Sequence, residues 1–424
     1  MTCSWQPNLS GFLNQNYLMP DLLLSSILQR HKDVSDLFFV AGNPIQVEAH
    51  GDLHSYPDDS ESSILTSAQI DELVISLMDG IERLKDDLHQ FGACDCSFGN
   101  TSGRFRVNIY RQNGQHAIVM RRLNTTIPTM DELNLLPIFR EIIKEKTGII
   151  FVTGATGSGK STTLAAMLNE LNQTSRMHIV TLEDPIEFIH PRRKAIFSQR
   201  ELGRDFPTFA AGLRSALRQA PKVIFVGEIR DRETMEIALT AAETGHVVYS
   251  TLHTINAGQT INRVLGFFSN DEQPVVRERL ASTLRYVVSQ RLIPKIAGGR
   301  LMINEVMGSN LRTREALCLG EGENRSYSEI IEASATYGWR TFDRTLVECL
   351  AQKLITEETA MSFCTNKNMI RAGIDRARKV SGMEESALGA MKLDLSNNVV
   401  NRPPTVPDPA EPQAAPLSLR PAAA

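Results

Sequence analysis

The sequence predicts an α/β protein built on a parallel sheet covered on both faces, with a smaller α+β region before it and a mainly helical region after it. Four short β-rich runs, at 148–152 (GIIFV), 178–182 (HIVTL), 223–226 (VIFV) and 246–250 (HVVYS), are dominated by apolar and β-branched residues rather than strictly alternating. Such runs belong to strands buried on both sides. Between them, apolar residues recur at helical spacing: Leu164, Met167, Leu168 and Leu171; Phe209, Leu213, Ala216 and Leu217; Met235, Ala238, Leu239 and Ala242. Strands alternating with helices make a parallel sheet. The third observation is a glycine loop joining the first of these strands to the first of these helices.

Taken in order, residues 1–122 form the smaller region. Pro20 suits the first turn of a helix through 21–28. Residues 36–40 read as a strand ending at the turn 41–44, and 45–49 alternate with period two before the turn at His50-Gly51-Asp52. Ile70, Leu73, Val74, Leu77, Ile81 and Leu84 predict a helix over 68–90, and 104–110 with 117–120 predict a strand pair. Residues 123–147 are expected to link the domains, because Pro128 blocks helix continuation. The core spans 148–310, and the chain from 271 to about 379 reads as mainly helical, with 311–380 as a helical C-terminal region. The tail 381–424 is rich in proline and poor in large apolar side chains, the composition of disorder.

Composition excludes several classes. At roughly 150 residues per domain, 424 residues suit two to three domains. Lys+Arg 45 against Asp+Glu 49 leaves a net charge of −4, so no global basic field exists for grasping nucleic acid. No apolar run approaches the roughly 18–20 residues of a membrane span, and no basic n-region opens the chain. Six cysteines without a CxxC pair fit a reducing, cytoplasmic compartment. Cys94 and Cys96 read as same-face strand neighbours, or as two ligands of a metal.

The chemistry starts at Gly154-Ala155-Thr156-Gly157-Ser158-Gly159-Lys160-Ser161, a full match to GxxxxGK[ST], followed by Thr162. In that loop successive backbone N–H groups converge on phosphate oxygens, Lys160 reaches the β- and γ-phosphates, and the Ser161 hydroxyl ligates Mg²⁺. A guanine-reading NKxD is absent, since Asn366-Lys367-Asn368-Met369 lacks the aspartate, so ATP is the expected nucleotide. The run 223–226 ends in Gly227-Glu228, where an acid can accept the proton of an attacking water, or simply pair with Arg230. Glu183, ahead of Asp184-Pro185, can hold Mg²⁺ through water or share water activation. His246 and His253 flank a strand, where one can sense the γ-phosphate; a zinc site lacks its third ligand. Arg104, Arg106, Arg121 and Arg122 lie on expected strands, and Arg214 and Arg218 stand at i, i+4. A guanidinium from a neighbouring domain or subunit can neutralise the charge of phosphoryl transfer.

Together, GATGSGKST at 154–162, TLEDPIEF at 181–188, VIFVGEIRD at 223–231 and GHVVYSTLHT at 245–254 resemble the Walker A, Asp, Walker B and His boxes of secretion-superfamily ATPases. The chain resembles in particular the twitching-motility (type IV pilus retraction) ATPases, the PilT/PilU family, and SDLFFVAGNP, GRFRVNIYRQ and VVSQRLIP add to the likeness. The resemblance implies a RecA-like P-loop core behind a PAS-like N-terminal domain, ATP in the cleft between them, and a homo-hexameric ring. It implies work against an inner-membrane pilus platform protein, at the cytoplasmic face of that membrane. Glu228 takes the Walker B role, Glu183 its Asp-box companion, His246 and His253 the His-box pair, and Arg104, Arg106 and Arg121 the N-domain arginines. Gly227 fits that family. The absence of a four-cysteine zinc insertion favours retraction over assembly, whereas the stretch 310–317 keeps little of the family's AIRNLIRE-like helix, which leaves an accessory or secretion role open. From other classes, a nucleic-acid translocase and a nucleotide-holding regulator compete.

Overall fold

The computed structural model describes residues 19–56, 64–100, 103–123, 126–323 and 325–380; the expectations for the extreme N-terminus and for the tail 381–424 lie outside them. The chain opens with α1 (Pro20–Arg30), β1 (Val34–Val40), β2 (Ile45–Ala49), β3 (Asp52–Tyr56), α2 (Ser67–Met78) and α3 (Glu82–Phe91). Then come β4 (Ala93–Asn100), β5 (Gly103–Gln112) and β6 (Gln115–Leu123). The six strands make one antiparallel sheet in the order β3-β2-β1-β6-β5-β4. Leu24 and Ile27 of α1, Leu73 of α2 and Leu88 of α3 share its core with Phe39, Val107 and Ile109. The single helix expected over 68–90 is two, because Asp79 and Gly80 both take left-handed φ, 47° and 72°, and end α2.

A short helix, α4 (Ile138–Ile142), precedes β7 (Gly148–Thr153), α5 (Lys160–Thr174), β8 (His178–Glu183), β9 (Ile196–Glu201), α6 (Phe209–Ala216) and β10 (Val223–Val226). The run continues with α7 (Arg232–Glu243), β11 (Val247–Leu252), α8 (Ala257–Leu265), α9 (Gln273–Thr283), β12 (Leu284–Pro294) and β13 (Arg300–Gly308). These strands form a second sheet, β13-β12-β7-β11-β10-β8-β9, parallel except for the β12–β13 pair. One face is covered by α5 and α4, the other by α6 to α9. The stretch 123–147 is therefore more than a linker: Ile138, Phe139 and Ile142 pack into the core beside Ile150 and Leu164.

The reading of 271 onward as mainly helical is corrected by the β12–β13 hairpin. Its buried polar residues disguise it: Ser289 Oγ lies 2.9 Å from Thr153 Oγ1, and Gln290 Nε2 donates to Thr163 Oγ1 at 2.9 Å, pairings that only the fold supplies. After it run α10 (Leu311–Leu319), α11 (Tyr327–Ala333), α12 (Phe342–Ala351), α13 (Glu357–Phe363) and α14 (Lys367–Val380). No seam falls at 310, since Ala316, Leu317 and Ile330 share one apolar cluster with Ile149, Val226 and Leu239.

Glu305 of β13 ties this region together by accepting the Ala257 N–H at the start of α8, at 2.9 Å. Burial raises its pKa from 4.5 to about 7, with that hydrogen bond and Arg291 opposing. The folded chain thus keeps a proton that the unfolded chain releases between pH 4.5 and 7, and stability present below pH 4.5 is lost as pH rises through 7. Glu305→Gln is expected to raise the melting midpoint by roughly 2–6 °C at pH 8 and to leave it unchanged near pH 4.5. Thermal melts at the two pH values check this, and an equal offset at both would refute the burial argument.

Candidate active site

The chain direction of the second sheet assembles the site. Because β7, β8, β10 and β11 are parallel, their carboxyl ends meet at one edge, where open α/β sheets bind ligands. That edge carries the loop from Gly154, then Glu183, Gly227-Glu228 and His253. Gly154 has φ of 148°, and a Cβ there would stand 2.5 Å from both the Gln290 carbonyl oxygen and Ser158 Oγ, so only glycine fits. Lys160, the first residue of α5, donates through Nζ to the carbonyls of Gly154 at 2.9 Å and Ala155 at 3.0 Å. Burial lowers its pKa, with Glu228 and Glu187 opposing. A half-desolvated ammonium gains strongly from an incoming anion. Ser158 Oγ is buried with no hydrogen-bond partner among the described residues, an unsatisfied group in the cradle that an anionic oxygen would satisfy.

The loop faces a cleft of about 580 Å³, lined by Thr156, Gly157, Gly159, Lys160, Ser161 and Thr162 on the loop side. Across it stand Glu183, Glu228 and His253. Glu228 Oε2 accepts from Arg230 Nε at 2.9 Å, while Oε1 lies 3.5 Å from His253 Nε2. The other ring nitrogen, Nδ1, is 3.5 Å from Lys160 Nζ, so His253 bridges the lysine and the acid. Glu183 ends β8, accepting from Thr181 Oγ1 at 2.7 Å and Gln199 Nε2 at 3.3 Å, and burial raises its pKa to about 7. The hydroxyl of Ser161 and the carboxylates opposite are oxygen donors of the kind Mg²⁺ takes when it is shared with phosphates.

The glycine where a strand-ending aspartate is common also has a cause in packing. A Cβ on Gly227 would lie 3.2 Å from the Leu182 carbonyl oxygen and 3.5 Å from Glu183 Cα, against β8 backbone held by strands on both sides. Only the next position, Glu228, has room for an acid. Gly227→Ala is expected to cost about 1–3 kcal/mol of stability, and to slow turnover by displacing Glu183. A thermal melt and a phosphate-release assay test it; a variant as stable and active as the parent contradicts the packing argument.

Other expected residues fall elsewhere. His246 precedes β11 and so stands at the opposite edge of the sheet from His253; its Nδ1 lies 3.0 Å from the Ala241 carbonyl oxygen, closing the end of α7. It is not part of this chain's cleft, because the six residues of β11 separate the two histidines. Of the expected arginines, Arg106 lines the cleft, reaching from the N-terminal sheet. Arg104 instead donates to the Ile186 carbonyl at 3.3 Å and neutralises the buried Glu201, 3.6 Å away. Arg121 is held by Asp36 at 2.8 Å, Arg214 by Glu233 at 2.5 Å, and Arg218 lies in the turn beyond α6 rather than on its face. Sequence reasoning passed over Arg300 and Phe188, which line the cleft, and treated Arg230 only as a pairing partner. Arg300 carried no local signal, since it sits in the hairpin read as helical.

A family model described as Type II/IV secretion system protein matches residues 74–336. The type IV pilus retractation ATPase PilT of Pseudomonas aeruginosa is 40% identical over 327 residues, 77% of this chain and 93% of that protein. The chain belongs to the type II/IV secretion system protein family. Another relative, the type IV pilus ATPase PilU of the same organism, is 37% identical over 347 residues, 81% of this chain and 88% of that protein. A crystal structure of the pilus retraction motor PilT with bound ADP matches at a TM-score of 0.73 and 38% identity, covering 82% of this chain and 98% of that one. The matched stretch of the type II/IV secretion family takes in the glycine loop, Glu183, Glu228 and His253. The α/β fold expected from the residues is the fold of that structure.

Proposed function

We propose that this chain is an ATP-hydrolysing motor that retracts type IV pili, acting as a homo-hexamer against an inner-membrane platform protein at the cytoplasmic face. One observation carries the ATP-hydrolysis part of the reading: Lys160, His253 and Glu228 form a continuous run of contacts at 3.5 Å, from the phosphate loop to the acid proposed as general base. The loop N–H groups and Lys160 hold the β- and γ-phosphates. Ser161 would hold Mg²⁺ arriving with the nucleotide, and the ion would supply charge neutralisation at the phosphates. Glu228 accepts the proton of the attacking water, and Glu183 helps order that water. His253, touching both Lys160 and Glu228, registers the γ-phosphate. Arg106 comes from the other sheet, so charge building up in the cleft draws the N-terminal region toward the core. That attraction converts chemistry into movement, because it differs before and after phosphate leaves.

Among the described residues no helix is long and apolar enough to cross a membrane, so anchoring falls to the platform partner. The net charge of −4 supports protein cargo over nucleic acid. The test is expression of the chain in a twitching bacterium whose own retraction ATPase is deleted. Restored twitching, lost again in the Lys160→Ala variant, is the expected result. Purified protein that hydrolyses ATP yet restores no retraction would move the assignment to an accessory or secretion role. Hydrolysis stimulated by DNA would move it to a translocase.

A further inference from the structure

We infer that Gln199 is a positioning residue for hydrolysis, holding the Glu183 carboxylate and the 184–190 segment of the cleft wall in one arrangement. The inference rests on Glu183 acting at the reacting phosphate, as proposed above. Gln199 lies on β9, paired with Thr181 of β8, while Glu201 two residues on pairs with Glu183. Its side-chain amide makes three hydrogen bonds: Nε2 donates to Glu183 Oε1 at 3.3 Å and to the Phe188 carbonyl at 2.8 Å, and Oε1 accepts the His190 N–H at 2.9 Å.

The segment between β8 and β9 has no regular backbone ladder of its own over 184–190. Side chains from β9 supply the missing partners. Glu201 accepts the Ile186 N–H at 3.1 Å, and Gln199 takes the polar groups of Phe188 and His190. Both residues sit on the same side of the strand, at i and i+2. His190 is further fixed by stacking on Phe197, ring centroids 4.2 Å apart. Asp184, Glu187, Phe188 and His190 all line the cleft, so this tie sets the shape of the wall facing the phosphate loop. Gln199 alone among these ties also reaches the Glu183 carboxylate, whose remaining hydrogen bonds come from Thr181 and the Glu187 backbone. An amide is suited to both tasks, since it donates and accepts while carrying no charge into the neighbourhood of two acids.

The experiment measures steady-state kinetics of the full-length chain with Mg-ATP. Gln199→Leu loses all three hydrogen bonds and is expected to lower kcat between about 10- and 100-fold, with KM held within roughly threefold. Gln199→Glu keeps an acceptor for the His190 N–H but loses the donor to the Phe188 carbonyl and sets a carboxylate against Glu183; a comparable fall is expected although the His190 tie remains. It also carries the test if the leucine variant does not fold. In a Glu183→Gln background, Gln199→Leu is expected to cause no further loss, because its effect runs through Glu183. Native kcat in Gln199→Leu, a raised KM at unchanged kcat, or fully additive losses would each overturn the inference. Native kcat in Glu183→Gln alone would instead remove the role of Glu183, and with it the inference, while leaving ATP hydrolysis by Glu228 standing.

Discussion

Replacing Lys160 with alanine is expected to abolish ATP binding, with affinity falling on the order of 100-fold or more. In the fold Lys160 is held in a buried position by two carbonyls of its own loop, at 2.9 and 3.0 Å, and its pKa is lowered by burial. It is thus a preplaced cation that lacks full hydration, and in the complex it makes charge-assisted bonds to phosphate oxygens worth about 1.5–3 kcal/mol each. Losing them costs at least a hundredfold at about 1.4 kcal/mol per decade. The fold itself should survive, since Lys160 opens α5 without entering its apolar face. Thermal shift separates the two effects. The parent gains about 2.7 kcal/mol at an ATP concentration of 100 Kd, whereas the variant melts at the same temperature with or without ATP. A nucleotide-dependent shift of parental size in Lys160→Ala would sink the phosphate-loop assignment.

Glu228→Gln separates chemistry from binding. Glutamine keeps the length of the side chain and can still accept from Arg230, but it cannot take a proton from water. Phosphate release is expected to fall about 10²–10⁴-fold, the usual contribution of a general base. ATP affinity should hold or improve, because a negative charge is removed from the wall facing the triphosphate. Glu228→Ala should be as inactive while also releasing Arg230, whose guanidinium then lies free to pair with phosphate. Turnover at the parental rate in the glutamine variant would show that another group activates the water. Glu183, buried at the adjoining strand end, is the next candidate.

The contrast between these residues and the corrected ones shows what is legible in a linear pattern. The loop from Gly154 to Thr162 is contiguous, and its chemistry follows from residues that are neighbours in the chain. Glu183, Glu228 and His253 could be read as well, because each lies within three positions of the end of an apolar run. His246 had the same credentials as His253, and strand direction alone separates them: one precedes β11 and the other follows it. Of the expected arginines, Arg106 faces the cleft and Arg104, Arg121 and Arg214 pair elsewhere in this chain, for a related reason. A guanidinium on a strand is equally suited to a phosphate or to a carboxylate, and Asp36, Glu201 and Glu233 claim Arg121, Arg104 and Arg214 only once the chain is folded.

The β12–β13 hairpin escaped reading because two of its buried polar residues, Ser289 and Gln290, have partners more than 100 positions away, Thr153 and Thr163. Gln199 was invisible for the same reason, being an ordinary polar residue on an edge strand until β8 and the 184–190 segment arrive beside it. The residues by themselves determined the phosphate loop, the parallel sheet and the acids at its strand ends, since short-range spacing and apolar runs encode all three. Tertiary structure decided which of the expected histidines and arginines face the cleft, why position 227 is glycine, and what holds Glu183 in place. Those choices depend on contacts across strands, and a side chain's partner across a sheet is set by register rather than by its neighbours in the chain.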